Sequence, residues 1–353
     1  MHPDGWIATN GHVVQPVYAD DAAQITRFLR AAADLACTPA LQGLPVAARQ
    51  AQLRAIPDDP ENRRGVRLGK QLWVDLAQRG ADGTQAHLHP TVVKAYSPPL
   101  DPTAVPKGGG KPDPPMLDAA ILKIDATNLP TVRLVPGIEF VHLGEELFII
   151  GYPGVVLWHT FLSETTRTDA TVTFGRVSSF KRDLTRRPVL QTDAAISWGN
   201  SGGPAFNWND EVVGVATFIS TSLEGDQAIQ GFNFLIPIDT IHLLAAQAGV
   251  TPIADGPFMA EWQAAVTAYF QGRYRTALAH VQAADTLVPD LLDVRFLRLY
   301  LEHILREHPA WDTERQTVIR TRLVAAAVVA VLIVVVAIGV RKVRRSKRGL
   351  PAT

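Results

Sequence analysis

Along the first 250 residues, short β-branched and aromatic runs recur between Gly, Pro, Asn and Asp, the mark of strands joined by turns. Such runs fall at Gly5 to Val17 and at residues 71–76, 119–124, 146–151, 171–180, 188–196, 211–220 and 232–237, and predict an all-β domain ending near residue 250. Two stretches interrupt it. Residues 20–56 are rich in Ala, Leu, Gln and Arg and read as a helical insert, and residues 97–115 (SPPLDPTAVPKGGGKPDPP) read as a Pro/Gly loop. From 258 to 308 the period becomes helical, with Gly272 separating two runs and Pro289 opening a third. Residues 323–340 (LVAAAVVAVLIVVVAIGV) are apolar on every face and would span roughly 27 Å as a helix, close to a bilayer core, which predicts a single transmembrane helix.

Charge adds an orientation. Lys plus Arg and Asp plus Glu are both 34, but Arg341, Lys342, Arg344, Arg345, Lys347 and Arg348 crowd into the tail 341–353. Residues 1–340 thus carry 28 positive and 34 negative charges, a net of −6, which argues against a nucleic-acid partner. The basic tail predicts a cytoplasmic C-terminus and an extracytoplasmic domain before the helix. Export needs a signal, yet MHPDGWIATNGHVV has no basic segment leading an apolar run. The single cysteine, Cys37, excludes an internal disulfide and reads as a small buried side chain. His87 and His89 share a strand face without a third ligand, His303 and His308 stand near a helix end, and no metal or cofactor is called for. The GGGK stretch is rejected as a phosphate loop, because a Pro follows Lys111 and no strand or helix flanks it.

The strongest chemical signal is Gly199-Asn200-Ser201-Gly202-Gly203-Pro204. Glycines around a serine allow a tight turn that points backbone NH groups into one hollow and leaves the hydroxyl exposed. Thr9-Asn10-Gly11-His12-Val13-Val14 supplies a histidine and Leu117-Asp118-Ala119-Ala120-Ile121-Leu122-Lys123-Ile124 an aspartate, in the order His, Asp, Ser. A serine hydroxyl needs an imidazole to take its proton, and the imidazole needs an anion to fix its tautomer. Asp101, Asp113 and Asp125 are alternatives, but only Asp118 begins an apolar strand that would bury it.

These blocks, with LGEELFIIGYPG, QTDAAISWGNSGGPAFN, EVVGVATF and GFNFLIPID, resemble the trypsin-like serine proteases of the HtrA-like type from about Gly5 to Val250. The resemblance implies a mainly β fold of two barrels over residues 1–250. It also implies Ser201 as nucleophile, His12 as base and then acid, Asp118 as the orienting carboxylate, and the NH groups of Gly199 and Ser201 as oxyanion hole. Asn200 stands where digestive members carry an Asp that pairs with a new N-terminus, which implies no zymogen switch of that kind. Ala195 matches the floor of the primary specificity pocket, and an alanine there cannot neutralise Lys or Arg, so small or medium aliphatic P1 residues are expected. Gly272, Tyr274, Ala277, Ala284 and Pro289 resemble the second half of a tetratricopeptide repeat, giving a TPR-like segment at 258–308.

The family usually has about two strands before the histidine, whereas eleven residues precede His12, so an open first barrel is expected. One reading places the true N-terminus upstream of Met1, which would also explain the absent export signal; the other has the insert 20–56 cover the gap. Residues 251–353 do not resemble a PDZ domain, so substrate capture through one is not expected. The resulting expectation is a membrane-anchored serine endopeptidase acting on protein or peptide substrates in extracytoplasmic quality control. Its alternative is a catalytically inactive protease-like peptide-binding or adaptor protein. Homo-oligomers, common as trimers in the resembled family, are left open.

Overall fold

The computed structural model describes residues 1–64, 66–79, 86–106, 112–113, 115–157, 159–162, 169–221 and 228–348. Residues 108–111, the GGGK stretch, lie outside this set. The chain divides into two compact units, one of residues 1–77 and 87–255, the other of residues 78–86 and 256–353.

The first unit holds two sheets. β1 (Trp6–Thr9), β2 (Leu72–Arg79), β3 (Ala86–Ser97) and β4 (Ala119–Ile124) form a four-stranded sheet in the order β1-β4-β3-β2. With β1 and β2 at its two edges it is a half-barrel, as the sequence implied. β5 (Arg133–Leu134), β6 (Glu146–Gly151), β7 (Thr171–Arg182), β8 (Pro188–Thr192), β9 (Pro204–Phe206), β10 (Glu211–Thr221) and β11 (Ala228–Pro237) form the second sheet. Its order β11-β8-β7-β6-β9-β10, with β10 pairing antiparallel to β11, closes a six-stranded barrel; β5 joins β10 in parallel. Alternation explains the barrel's filling: on β6, Leu147 and Ile149 point inward and are buried while Phe148 and Ile150 are only partly covered. Val177, Leu190, Ile196, Val213, Val215 and Leu235 join them, and α6 (Ile238–Gln247) adds Ile238, Ile241 and Leu244.

One strand expectation is corrected. The run from Gly5 to Val17 is strand only over β1, after which α1 (Gly11–Tyr18) takes over. Val13 and Val14 favour extended backbone by propensity, but helical backbone buries Val14 among Ala120, Leu122, Ile7 and Val93, and that tertiary gain prevails. The insert 20–56 forms α2 (Asp21–Cys37) and α3 (Val46–Ala55), the short α4 (Pro60–Arg63) follows it, and these helices are largely exposed. Asp20 caps α2, its carboxylate accepting the Ala23 NH. Cys37, expected buried, is half-buried. The one-turn α5 (Gly154–Leu157) follows β6.

In the second unit α7 (Pro257–Phe270), α8 (Tyr274–Leu287) and α9 (Leu292–Glu307) occupy the predicted helical stretch. Ala265, Ala268, Ala277, Val281, Ala284, Leu301 and Ile304 are buried there. Gly272, at φ 69, makes the α7–α8 turn. α10 (Thr313–Arg348) is a 36-residue helix, about 54 Å long. Among the described residues it is the one helix long and apolar enough to cross a membrane, with such a stretch at Gln316–Ile333.

Candidate active site

Four segments of the first unit supply the site: the β1–α1 junction, the start of β4, the turn before β9, and β10. Asp118, at φ 50, precedes β4 and is 14% exposed; its two carboxylate oxygens lie 3.0 and 2.9 Å from His12 Nδ1. Oδ1 also accepts the His12 backbone NH (2.8 Å), and Oδ2 the Thr217 hydroxyl (2.7 Å). Asn10 is buried and donates through Nδ2 to the Asp118 carbonyl (3.2 Å). Gly11 makes this approach possible, since a Cβ there would stand 2.1 Å from the Ser97 carbonyl oxygen. Asp101 is engaged elsewhere, accepting both the NH and the hydroxyl of Thr103, and of the four aspartates weighed only Asp118 is bonded to His12.

The serine turn is held by Asn200 NH to Ser197 O (3.1 Å), Gly203 NH to Asn200 O (2.9 Å) and Gly202 NH to Ala216 O (3.0 Å). Gly199 and Gly202 take φ of 98 and 88, and a Cβ on either would strike Tyr152 O or Thr9 Oγ1 at 2.2 or 2.3 Å. The NH groups of Gly199 and Ser201 take no part in the turn's backbone hydrogen bonds. Ser201 lies in the wall of a cavity of about 380 Å³ shared with Thr9, Val13, Ile150 and Tyr152. Its hydroxyl donates to the Thr217 carbonyl at 3.3 Å, and no hydrogen bond joins it to His12. His12 and Asp118 are thus brought into contact, with Ser201 linked to them through Thr217.

Ala195 is exposed beyond β8; its carbonyl accepts the Thr173 hydroxyl (2.8 Å), while the neighbouring Ala194 carbonyl accepts buried Asn233 Nδ2 (2.8 Å). Asn200 is buried against Gly151. Thr217 was not singled out from the sequence, although it lies in EVVGVATF; a threonine on a strand carries no sign of what its hydroxyl will meet. Chemically, an imidazole tied at Nδ1 to a carboxylate presents Nε2 as proton acceptor, and backbone NH groups at a glycine turn can receive an oxyanion.

Two mainly antiparallel sheets, one closed and one half-closed, with His, Asp and Ser contributed in that chain order, define a protein of the chymotrypsin-like serine peptidase class. Residues 1–215 match the trypsin-like peptidase domain, and the chain belongs to that family. A probable periplasmic serine endoprotease DegP-like of Pseudomonas putida (strain W619) is 43% identical over 128 residues, 35% of this chain and 23% of the relative. Its counterpart in Ectopseudomonas mendocina (strain ymp) is 33% identical over 233 residues, 64% of this chain and 44% of that protein. The chain therefore spans less than half the length of these relatives. Among solved structures, the HtrA-type protease AlgW with decapeptide has a TM-score of 0.40 at 21% identity, covering 70% of this chain and 50% of its own.

Proposed function

We propose that this chain is a serine endopeptidase that cuts protein or peptide substrates through Ser201, His12 and Asp118. The observation that carries the reading is the Asp118 carboxylate, which receives His12 Nδ1, the His12 backbone NH and the Thr217 hydroxyl together. That set of donors fixes one imidazole orientation and stabilises the imidazolium formed when His12 takes the serine proton. Ser201 Oγ, turned from Thr217 O toward His12, attacks the scissile carbonyl, and the oxyanion settles on the NH groups of Gly199 and Ser201. His12 then gives its proton to the leaving amine, and water activated by the same imidazole releases the acyl group. Ala195 at the floor of the specificity pocket selects small or medium aliphatic P1 residues.

The relatives named probable periplasmic serine endoproteases support an extracytoplasmic setting, where such a peptidase would serve protein quality control. In this reading α10 crosses the membrane once over residues 323–340 and the basic tail 341–353 is cytoplasmic. The TPR-like segment 258–308 then stands as a helical spacer between the protease domain 1–250 and the anchor. A second reading, a protease-like peptide-binding protein, is favoured by one observation: the Ser201 hydroxyl rests on Thr217 O instead of on His12.

Incubating the full chain in detergent with unfolded casein, followed by mass mapping of the products, separates the two. Cleavage after small aliphatic residues that disappears in Ser201→Ala supports the endopeptidase. Casein bound but uncut by both forms supports the binding protein and overturns the first reading.

A further inference from the structure

Arg187 precedes β8 in the β7–β8 hairpin, and its side chain is 25% exposed. Its Nε donates to Asp183 Oδ2 (3.0 Å) and Thr185 Oγ1 (2.7 Å), and its Nη2 to Asp183 Oδ2 (2.7 Å) and, across to the other sheet's loop, to the carbonyl of Met116. Asp183 is itself immobilised, its Oδ1 accepting the NH of Thr185 (2.8 Å) and of Arg187 (3.0 Å) and the Thr185 hydroxyl (2.7 Å). The hairpin turn is already closed by Asp183 NH to Arg187 O and Arg186 NH to Asp183 O, both 2.9 Å. The arm reaching Met116 therefore exceeds what the turn requires.

Met116 stands two residues before Asp118, in a segment gripped at successive backbone groups. The buried Ser97 hydroxyl donates to Pro115 O (2.6 Å) and accepts Leu117 NH (2.7 Å), while Asp118 NH donates to Pro98 O (2.9 Å). The grip ends on Asp118 in a left-handed conformation that a non-glycine residue holds only when its surroundings enforce it. On one side the segment borders a cavity of about 300 Å³, whose wall includes Met116, Leu117, Asp118, Asp183, Arg187 and His12.

We infer that Arg187 is a positioning residue: braced by Asp183, its guanidinium fork holds the Met116 carbonyl and so the backbone that presents the Asp118 carboxylate to His12 and Thr217. The inference rests on His12, Asp118 and Ser201 forming the triad. A planar fork can face Asp183 and Met116 O at once, whereas a lysine ammonium at the same place keeps the charge but loses that two-sided reach.

The test compares the full chain in detergent with Arg187→Lys and Arg187→Ala, reading the rate constant of fluorophosphonate labelling and the unfolding temperature in parallel. Displacing the carboxylate should slow labelling about 10- to 100-fold in both variants while each remains folded. Free methylguanidine should recover part of the rate in Arg187→Ala and none in Arg187→Lys. Folded variants labelled at the wild-type rate overturn the inference. Should Arg187→Ala fail to fold, Arg187→Lys carries the comparison alone. If wild type itself takes no label, the endopeptidase reading fails separately. The inference is then read from the His12 Nδ1 proton by nitrogen-15 histidine NMR, where an identical signal in wild type and Arg187→Lys overturns it, and a lost or displaced signal supports it.

Discussion

Thr217 joins the two halves of the site, its hydroxyl donating to Asp118 Oδ2 and its carbonyl accepting from Ser201. A hydrogen bond to a charged group contributes about 1.5–3 kcal/mol, so Thr217→Val, which keeps shape and removes the donor, should slow probe labelling roughly 10- to 100-fold. A wild-type rate in this variant would show that the hydroxyl does not support the carboxylate. Asp183 offers a pH signature. Burial alone would raise its pKa, but the Thr185 hydroxyl, the Arg187 NH and the Arg187 charge outweigh burial and hold it below 3.8. A carboxyl with a depressed folded pKa stabilises the fold above its unfolded value and loses that contribution as pH falls through the folded one. Asp183→Asn should therefore cost stability at neutral pH, with the gap to wild type closing below about pH 4 in urea unfolding series; a gap independent of pH would contradict the shift. His12, Asp118 and Ser201 could be proposed from the sequence because their residue types and chain order suit serine-nucleophile chemistry. Thr217, Ser97, Asn10 and Arg187 could not, because each acts through a partner 16 to 108 residues away that only the fold supplies.

Among the elements, strands marked by apolar runs were readable and the segment after β1 was not. β4 and β6 fall at the residues their apolar runs mark, 119–124 and 146–151. The run from Gly5 to Val17 reads as strand throughout, yet the chain turns at Gly11 into α1 because burial of Val14 and the approach of His12 to Asp118 outweigh local preference. Glycine placement on β7 was equally silent in the sequence. A Cβ at Gly175 would lie 2.3 Å from the Ala194 backbone nitrogen, so Gly175→Ala should push β7 from the segment after β8 and lower stability by about 1–3 kcal/mol. An unchanged unfolding temperature would refute that. In the helical unit, Asp312 just before α10 is 0% exposed and pairs with Arg275 Nε at 3.1 Å, an ion pair that secures the start of the long helix on α8. Because Arg275 is 65% exposed, solvent weakens the pair, and Arg275→Ala should cost about 1–3 kcal/mol in thermal unfolding; no loss would mean that Asp312 finds other compensation.

Taken over the molecule, the order of parts was legible: a β-rich unit, a run of helices and a final apolar helix follow one another as the changing hydrophobic period indicates. The closure of one barrel and the half-closure of the other were legible only through family resemblance, since strand order is fixed by pairing between distant segments. The insert illustrates the limit. Its helical character showed in composition, but α2 and α3 leave most of their surface exposed, a fact no local pattern carries. For membrane attachment, the expected outcome is that the full chain stays with the membrane pellet under alkaline carbonate extraction; release into the supernatant would contradict α10 as a span. The proposed serine endopeptidase activity is tested most directly by fluorophosphonate labelling of the full chain in detergent, beside Ser201→Ala and His12→Ala, with the modified residue mapped by mass spectrometry. Incorporation at Ser201 in the wild type, absent in Ser201→Ala and strongly reduced in His12→Ala, is the expected result. No incorporation, or label that persists in Ser201→Ala, would contradict a working Ser201, His12 and Asp118 triad.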